Sequence, residues 1–189
     1  MFLKTRLYFT LIITFAIWAL LAWEHFHGGV PSHHILARED LPEISNWWGA
    51  ILLPFLALFL SFRTEKRITK KHSSQTPVTK IPSSVPFGFF GAMFYGITLA
   101  SFFAFGNTEM PGYMLIGTFV ISFFFPIYRA ECLLGFVIGM THTFGAVLPT
   151  GIGSILALIG AFIYLVIRPL LLFVALKLKN LETTITNKP

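Results

Sequence analysis

The stretch from Glu24 to Asn46 holds four histidines (His25, His27, His33 and His34), four carboxylates and the amide of Asn46. Neutral imidazoles and carboxylates are natural ligands for zinc and similar divalent ions. Gly28-Gly29 and Pro31 separate the two histidine pairs. They permit a sharp turn that would fold His33 and His34 back toward Glu24 and His25. His142 stands apart, in the locally polar run Gly139-Met140-Thr141-His142-Thr143 within an otherwise apolar segment. Ionisable groups in such segments are rare and often line cavities. The expected site therefore takes Glu24, His25, His27, Asp40 and Asn46 as ligand-binding groups, and His33, His34 and His142 as ligands for a divalent metal such as zinc. The alternative is a polar loop at an interface whose histidines only hydrogen-bond. No HExxH or comparable zinc spacing occurs. Ala146 stands one helical turn after His142, so no late histidine pair is present either.

Bringing these residues together requires the apolar segments around them. The sequence predicts six membrane spans, at about 8–23, 47–62, 85–105, 113–128, 132–148 and 152–172. Each is near the ~20 residues needed to cross the hydrocarbon core, some a little short. Helices are expected because lipid leaves unpaired backbone groups unsatisfied. The fold class is thus all-α: one polytopic membrane domain over 1–189, a six-helix bundle. This arrangement puts every Lys and Arg but Arg38 on one side of the membrane, and Glu24, Glu39, Asp40, Glu43 and Glu109 on the other. Basic segments beside spans stay cytoplasmic, so both termini are expected in the cytoplasm and the 24–46 loop on the far side. Lys4 and Arg6 before the first apolar run resemble a signal peptide. The run continues to Trp23 without a small-x-small cleavage pattern, so an uncleaved first span is expected.

The 63–84 loop carries six basic residues with Glu65, followed by Ser and Pro. It is expected to be a flexible cytoplasmic linker that meets anionic lipid headgroups. Small residues recur at every fourth position: Gly88, Ala92, Gly96, Ala100 and Ala104; Gly135, Gly139 and Thr143; Gly153, Ala157 and Ala161. Such stripes let helix backbones approach closely. Pro54, Pro126 and Pro169 are candidate kink points. Trp18, Trp23, Trp47 and Trp48 fall near the far-side interface, as in an aromatic belt. A structural ion pair is expected between Glu131 and Arg168 at the cytoplasmic ends of spans 5 and 6, with Arg129 as a competing partner.

Composition narrows the function classes. With 55% hydrophobic and 12% charged residues, the chain is too apolar for a soluble domain of 189 residues. The net charge of +6 sits in loops beside apolar spans, so it sets topology and does not point to nucleic acid. The single cysteine, Cys132, excludes an internal disulfide and a cysteine-pair redox relay. No dinucleotide, phosphate-loop or nucleophile-elbow motif occurs. Polar residues within the spans are few, which argues against a wide aqueous channel. The expected protein is a multi-pass protein of the bacterial inner membrane, with a periplasm-facing pocket that recognises or transports a small ligand or ion. The alternatives are a metal-dependent membrane hydrolase using the same residues, or a small accessory subunit. Lipid is the expected partner, together with a second copy or another membrane protein.

Overall fold

Residues 2–34, 40, 42–72, 81–107 and 109–186 are described by a computed structural model. Arg38, Glu39, the 73–80 part of the basic loop and Lys188 lie outside them. The elements run α1 (Phe2–Phe26), β1 (Ser32–His34), β2 (Glu43–Ser45), a 3-10 turn (Asn46–Trp48), α2 (Gly49–His72), α3 (Ser84–Ala104), α4 (Glu109–Phe124), α5 (Ala130–Phe144) and α6 (Val147–Phe162). A π-helical turn (Ile163–Ile167) then leads into α7 (Arg168–Thr186).

Four helical stretches are long and apolar enough to cross a membrane: Leu3–Phe26, Asn46–Lys70, Ser84–Ala104 and Val147–Lys179. The apolar helices α4 and α5 are shorter, at 16 and 15 residues. At 1.5 Å per residue they extend roughly 22–24 Å, less than a full hydrocarbon core. Large apolar side chains cover the outer surface, among them Ile12, Phe55, Phe94, Ile116 and Leu158. Such a surface suits lipid and not water.

Helix α5 is the hub. It buries Leu134, Gly135, Phe136, Val137, Met140 and Thr141. One cluster joins Leu134 and Val137 to Ile17 and Leu21 of α1 and to Leu53, Leu56, Ala57 and Leu60 of α2. A second joins Phe136 and Met140 to Leu99 and Ala100 of α3. The small-residue stripes make this closeness feasible. A Cβ on Gly135 would meet the Phe89 carbonyl, one on Gly139 the Met93 carbonyl, and one on Gly96 would lie 2.7 Å from the Phe136 carbonyl. Gly88 faces Cys132 and Glu131, and Phe103 packs edge-on to Phe144, so α3 and α5 run parallel and level with each other. Helices α1 and α2 are antiparallel, joined by Arg6–Glu65 at one end and by Trp18 Nε1 donating to the Ala50 carbonyl at the other. Buried hydroxyls bond back to their own helix: Thr64 to Leu60 O, Thr141 to Val137 O and Ser122 to Phe119 O. This satisfies them without water.

Several boundaries differ from the sequence expectation, each for a local reason. The 24–46 loop is not wholly irregular: β1 and β2 pair antiparallel, with Ser32 opposite Ser45, His33 opposite Ile44 and His34 opposite Glu43. Helix α2 continues to His72, so the first part of the expected basic linker is helical. Arg, Lys and Glu are good helix formers, and Arg6–Glu65 and Arg67–Glu131 anchor this extension. The turn between α5 and α6 falls at Gly145, not at Pro149-Thr150-Gly151. Proline is tolerated in a first helical turn, and Pro149 sits there. Pro126 ends α4 and does not kink it. Pro169 stands two residues past the π turn, which rearranges the backbone bonding that the proline ring would disrupt.

Candidate functional site

The end of the bundle opposite Arg6–Glu65 brings together Glu24 from the last turn of α1, His33 from β1 and His142 from the last turn of α5. Two positive-φ glycines, Gly28 and Gly29, let the chain turn after α1. The backbone N–H groups of His27 and Gly29 both donate to the Glu24 carbonyl, closing the helix end. Asn46 N–H then donates to the Pro31 carbonyl and ties the sheet back to the start of α2.

Glu24 Oε1 lies 4.0 Å from His142 Nδ1. That is beyond a direct hydrogen bond and at the outer limit of an ion pair with a protonated imidazole. The Glu24 side chain is 12% exposed, whereas His142 is 80% exposed. His33 acts electrostatically on the same carboxylate. Its ring leans against Phe144, with centroids 6.3 Å apart. Among the described residues, Glu24 Oε2 and His33 Nε2 are buried with no hydrogen-bond partner. Buried polar atoms are normally paired, and leaving them unpaired costs stability. A carboxylate oxygen and an imidazole nitrogen without partners form the chemical core of this site.

The other expected site residues separate from it. His27 stacks on Trp23 with centroids 3.6 Å apart, and its Nδ1 contacts the Trp23 carbonyl at 2.9 Å. His25 packs edge-on against Phe26 and Trp47. Both belong to the aromatic rim. His34 follows His33 in β1, so the pleat sends the two side chains to opposite faces. Asp40 is exposed at a turn between the strands. Asn46 is 6% exposed and its amide packs against Gly145, so it serves the packing of the bundle. Among the described residues no three His, Cys, Asp or Glu side chains close on one point as a metal centre would.

A second polar cluster, at the opposite end of α5, was only half legible. Glu131 is 4% exposed and pairs with Arg67 of α2, not with Arg168. Arg67 Nη2 lies 2.8 Å from Oε1, Nη1 donates to Oε2 at 3.0 Å, and Thr64 Oγ1 donates to Oε2 at 3.3 Å. Arg168 instead lies over the Tyr164 ring, 4.7 Å from its centroid. The reading of α2 as ending near Phe62 hid Arg67, which lies one turn beyond Arg63 on the helical extension. No protein-family model, curated protein or solved structure matches this chain, so the site is read from its own geometry.

Proposed function

We propose that the protein is a multi-pass protein of the bacterial inner membrane whose periplasm-facing site, Glu24–His33–His142, recognises a small ligand or ion, best matched by a zinc-class divalent cation. The observation that carries this reading is the pair of buried, partnerless atoms Glu24 Oε2 and His33 Nε2 beside His142. A cation accepting both would satisfy two groups that are otherwise costly to bury. His142 is exposed and therefore free to swing inward as a third ligand.

The six-span arrangement with cytoplasmic termini belongs to the same proposal. Its support is the level, parallel run of α3 and α5, which gives the short α5 the same depth as the longer α3. The all-but-one bias of Lys and Arg gives the direction. The close packing of α3 on α5 at Gly135 and Gly139 favours recognition over a wide channel between these two helices.

Calorimetric titration of the detergent-purified protein with zinc tests the reading. Wild type binds one ion. Glu24→Gln and His142→Ala each weaken binding by roughly 10–100-fold, the scale seen when metal-site partners are removed. Unchanged zinc affinity in Glu24→Gln sinks the proposal.

A further inference from the structure

At the basic end of the bundle a cleft of about 420 Å³ opens sideways between α3, α4 and α6, floored by α5. That volume lies within the ~300–1,000 Å³ of cavities that take ligands. Its walls are apolar, with Phe87, Gly91, Ile121, Phe125, Leu133 and Leu156 among them. At its inner end Tyr95 Oη reaches the Met114 carbonyl and Thr118 Oγ1, both at 2.6 Å, and so bridges α3 to α4. At its outer end stands Arg129. The neighbouring carboxylate, Glu131, is already taken by Arg67. Among the described residues the Arg129 guanidinium has no acidic partner.

The length of the cleft is informative. From Ser84 at its mouth to Tyr95 at its bridge is eleven residues of α3, or roughly 16 Å at 1.5 Å per residue. Half of a ~30 Å hydrocarbon core is about the same depth. We propose that this cleft is a binding site for an anionic glycerophospholipid of the leaflet on the basic side. One acyl chain lies along Gly91 and ends below Tyr95, and the headgroup phosphate is held by Arg129. Guanidinium suits phosphate because its planar N–H fork matches the phosphate oxygens. A second cleft of about 330 Å³ lies between α1, α2 and α3. Its arginine, Arg6, is committed to Glu65 at 2.9 Å, so it offers no comparable anchor. The lipid site is independent of the far-side site and stands or falls without it.

Native mass spectrometry of the full chain in mild detergent provides the test, with phosphatidylglycerol and phosphatidylcholine of identical chains as probes. The wild type takes one phosphatidylglycerol more tightly than phosphatidylcholine. Arg129→Gln lowers the phosphatidylglycerol affinity by on the order of five-fold, the weight of one basic residue near an anionic lipid, and leaves phosphatidylcholine unchanged. Gly91 has open space where a Cβ would stand, so Gly91→Leu blocks the cleft without disturbing the helix contacts and weakens both lipids. Arg63→Gln, outside the cleft, changes neither. Equal affinity for the two lipids, a loss in Arg129→Gln no larger than in Arg63→Gln, or unimpaired binding in Gly91→Leu overturns the proposal. So does a dimer that closes the cleft in place of lipid.

Discussion

Arg67 and Glu131 join α2 to α5 through two contacts of 2.8 and 3.0 Å at the basic end of the bundle. The carboxylate is almost fully buried and the guanidinium is 36% exposed. Removing the charge on Glu131 leaves Arg67 facing an apolar helix junction. Glu131→Gln should therefore cost about 1–3 kcal/mol, the range for hydrogen bonds to charged groups, reduced from a fully buried pair by the exposure of Arg67. In a double-mutant cycle on thermal unfolding in mild detergent, adding Arg67→Gln should cost little more, whereas Arg168→Gln should add its own effect in full. Additive losses for Arg67 and Glu131 would refute their coupling.

Gly145 illustrates a different kind of constraint. Its backbone sits at φ 69°, ψ −175°, a region held almost only by glycine. The Asn46 side chain also fills the space where a Cβ would go. Gly145→Ala should destabilise the protein by about 1–3 kcal/mol from backbone strain alone, with the collision added. In an Asn46→Ala background the collision disappears and only the backbone cost remains. The two melting-temperature losses should therefore be unequal, with the smaller in the Asn46→Ala background. Equal losses would mean that the two residues do not meet.

These two examples also show what a sequence reading can reach. The stripes of Gly and Ala marked the faces where α3 and α5 touch, because close approach demands small residues whatever the partner. The charge bias likewise grouped the ends of α1, α2, α3 and α5 that lie together at Arg6–Glu65, Arg67–Glu131 and Gly88. The partner of Glu131 was hidden because the apolar run of α2 ends near Phe62 while its helix does not. Nothing in composition separates a helical Arg67 from one in a loop. The far-side loop was read as a pool of ligands because histidine and carboxylate are counted alike whichever way they point. Only the pairing of β1 with β2 decides that His33 turns inward and His34 does not. His25 on the last turn of α1 and His27 just past it follow Glu24 in sequence, but they pack against Trp47 and Trp23. Gly145 was overlooked because Pro149-Thr150-Gly151 is the stronger turn signal in isolation.

The strand register makes the two adjacent histidines a sharp test. His33→Ala removes a buried nitrogen from the Glu24 site, and should lower zinc affinity by roughly ten-fold or more. His34→Ala alters the opposite face of β1 and should leave zinc affinity near the wild-type value. Titration calorimetry on both variants decides the matter. A larger loss in His34→Ala than in His33→Ala would reverse the assignment of the inward face.

The short helices α4 and α5 set the last prediction. In the proposed topology the chain crosses to the far side along α3, returns along α4, and crosses again along α5. The side-chain contacts require that α5 begin level with Gly88 and end level with Phe103. The turn between α4 and α5 must then lie on the basic side, although neither helix alone reaches ~30 Å. Cysteine labelling can place that turn, using a background in which Cys132, the only native cysteine, is changed to Ser. Ser32→Cys and Asn107→Cys should react with a membrane-impermeant maleimide added to intact cells with the outer membrane opened. Phe125→Cys, 56% exposed beside the turn, and Thr69→Cys near the end of α2 should react only after the inner membrane is breached. Modification of Phe125→Cys from outside would place the α4–α5 turn on the far side. The two helices would then be a re-entrant pair, and the chain would cross the membrane four times.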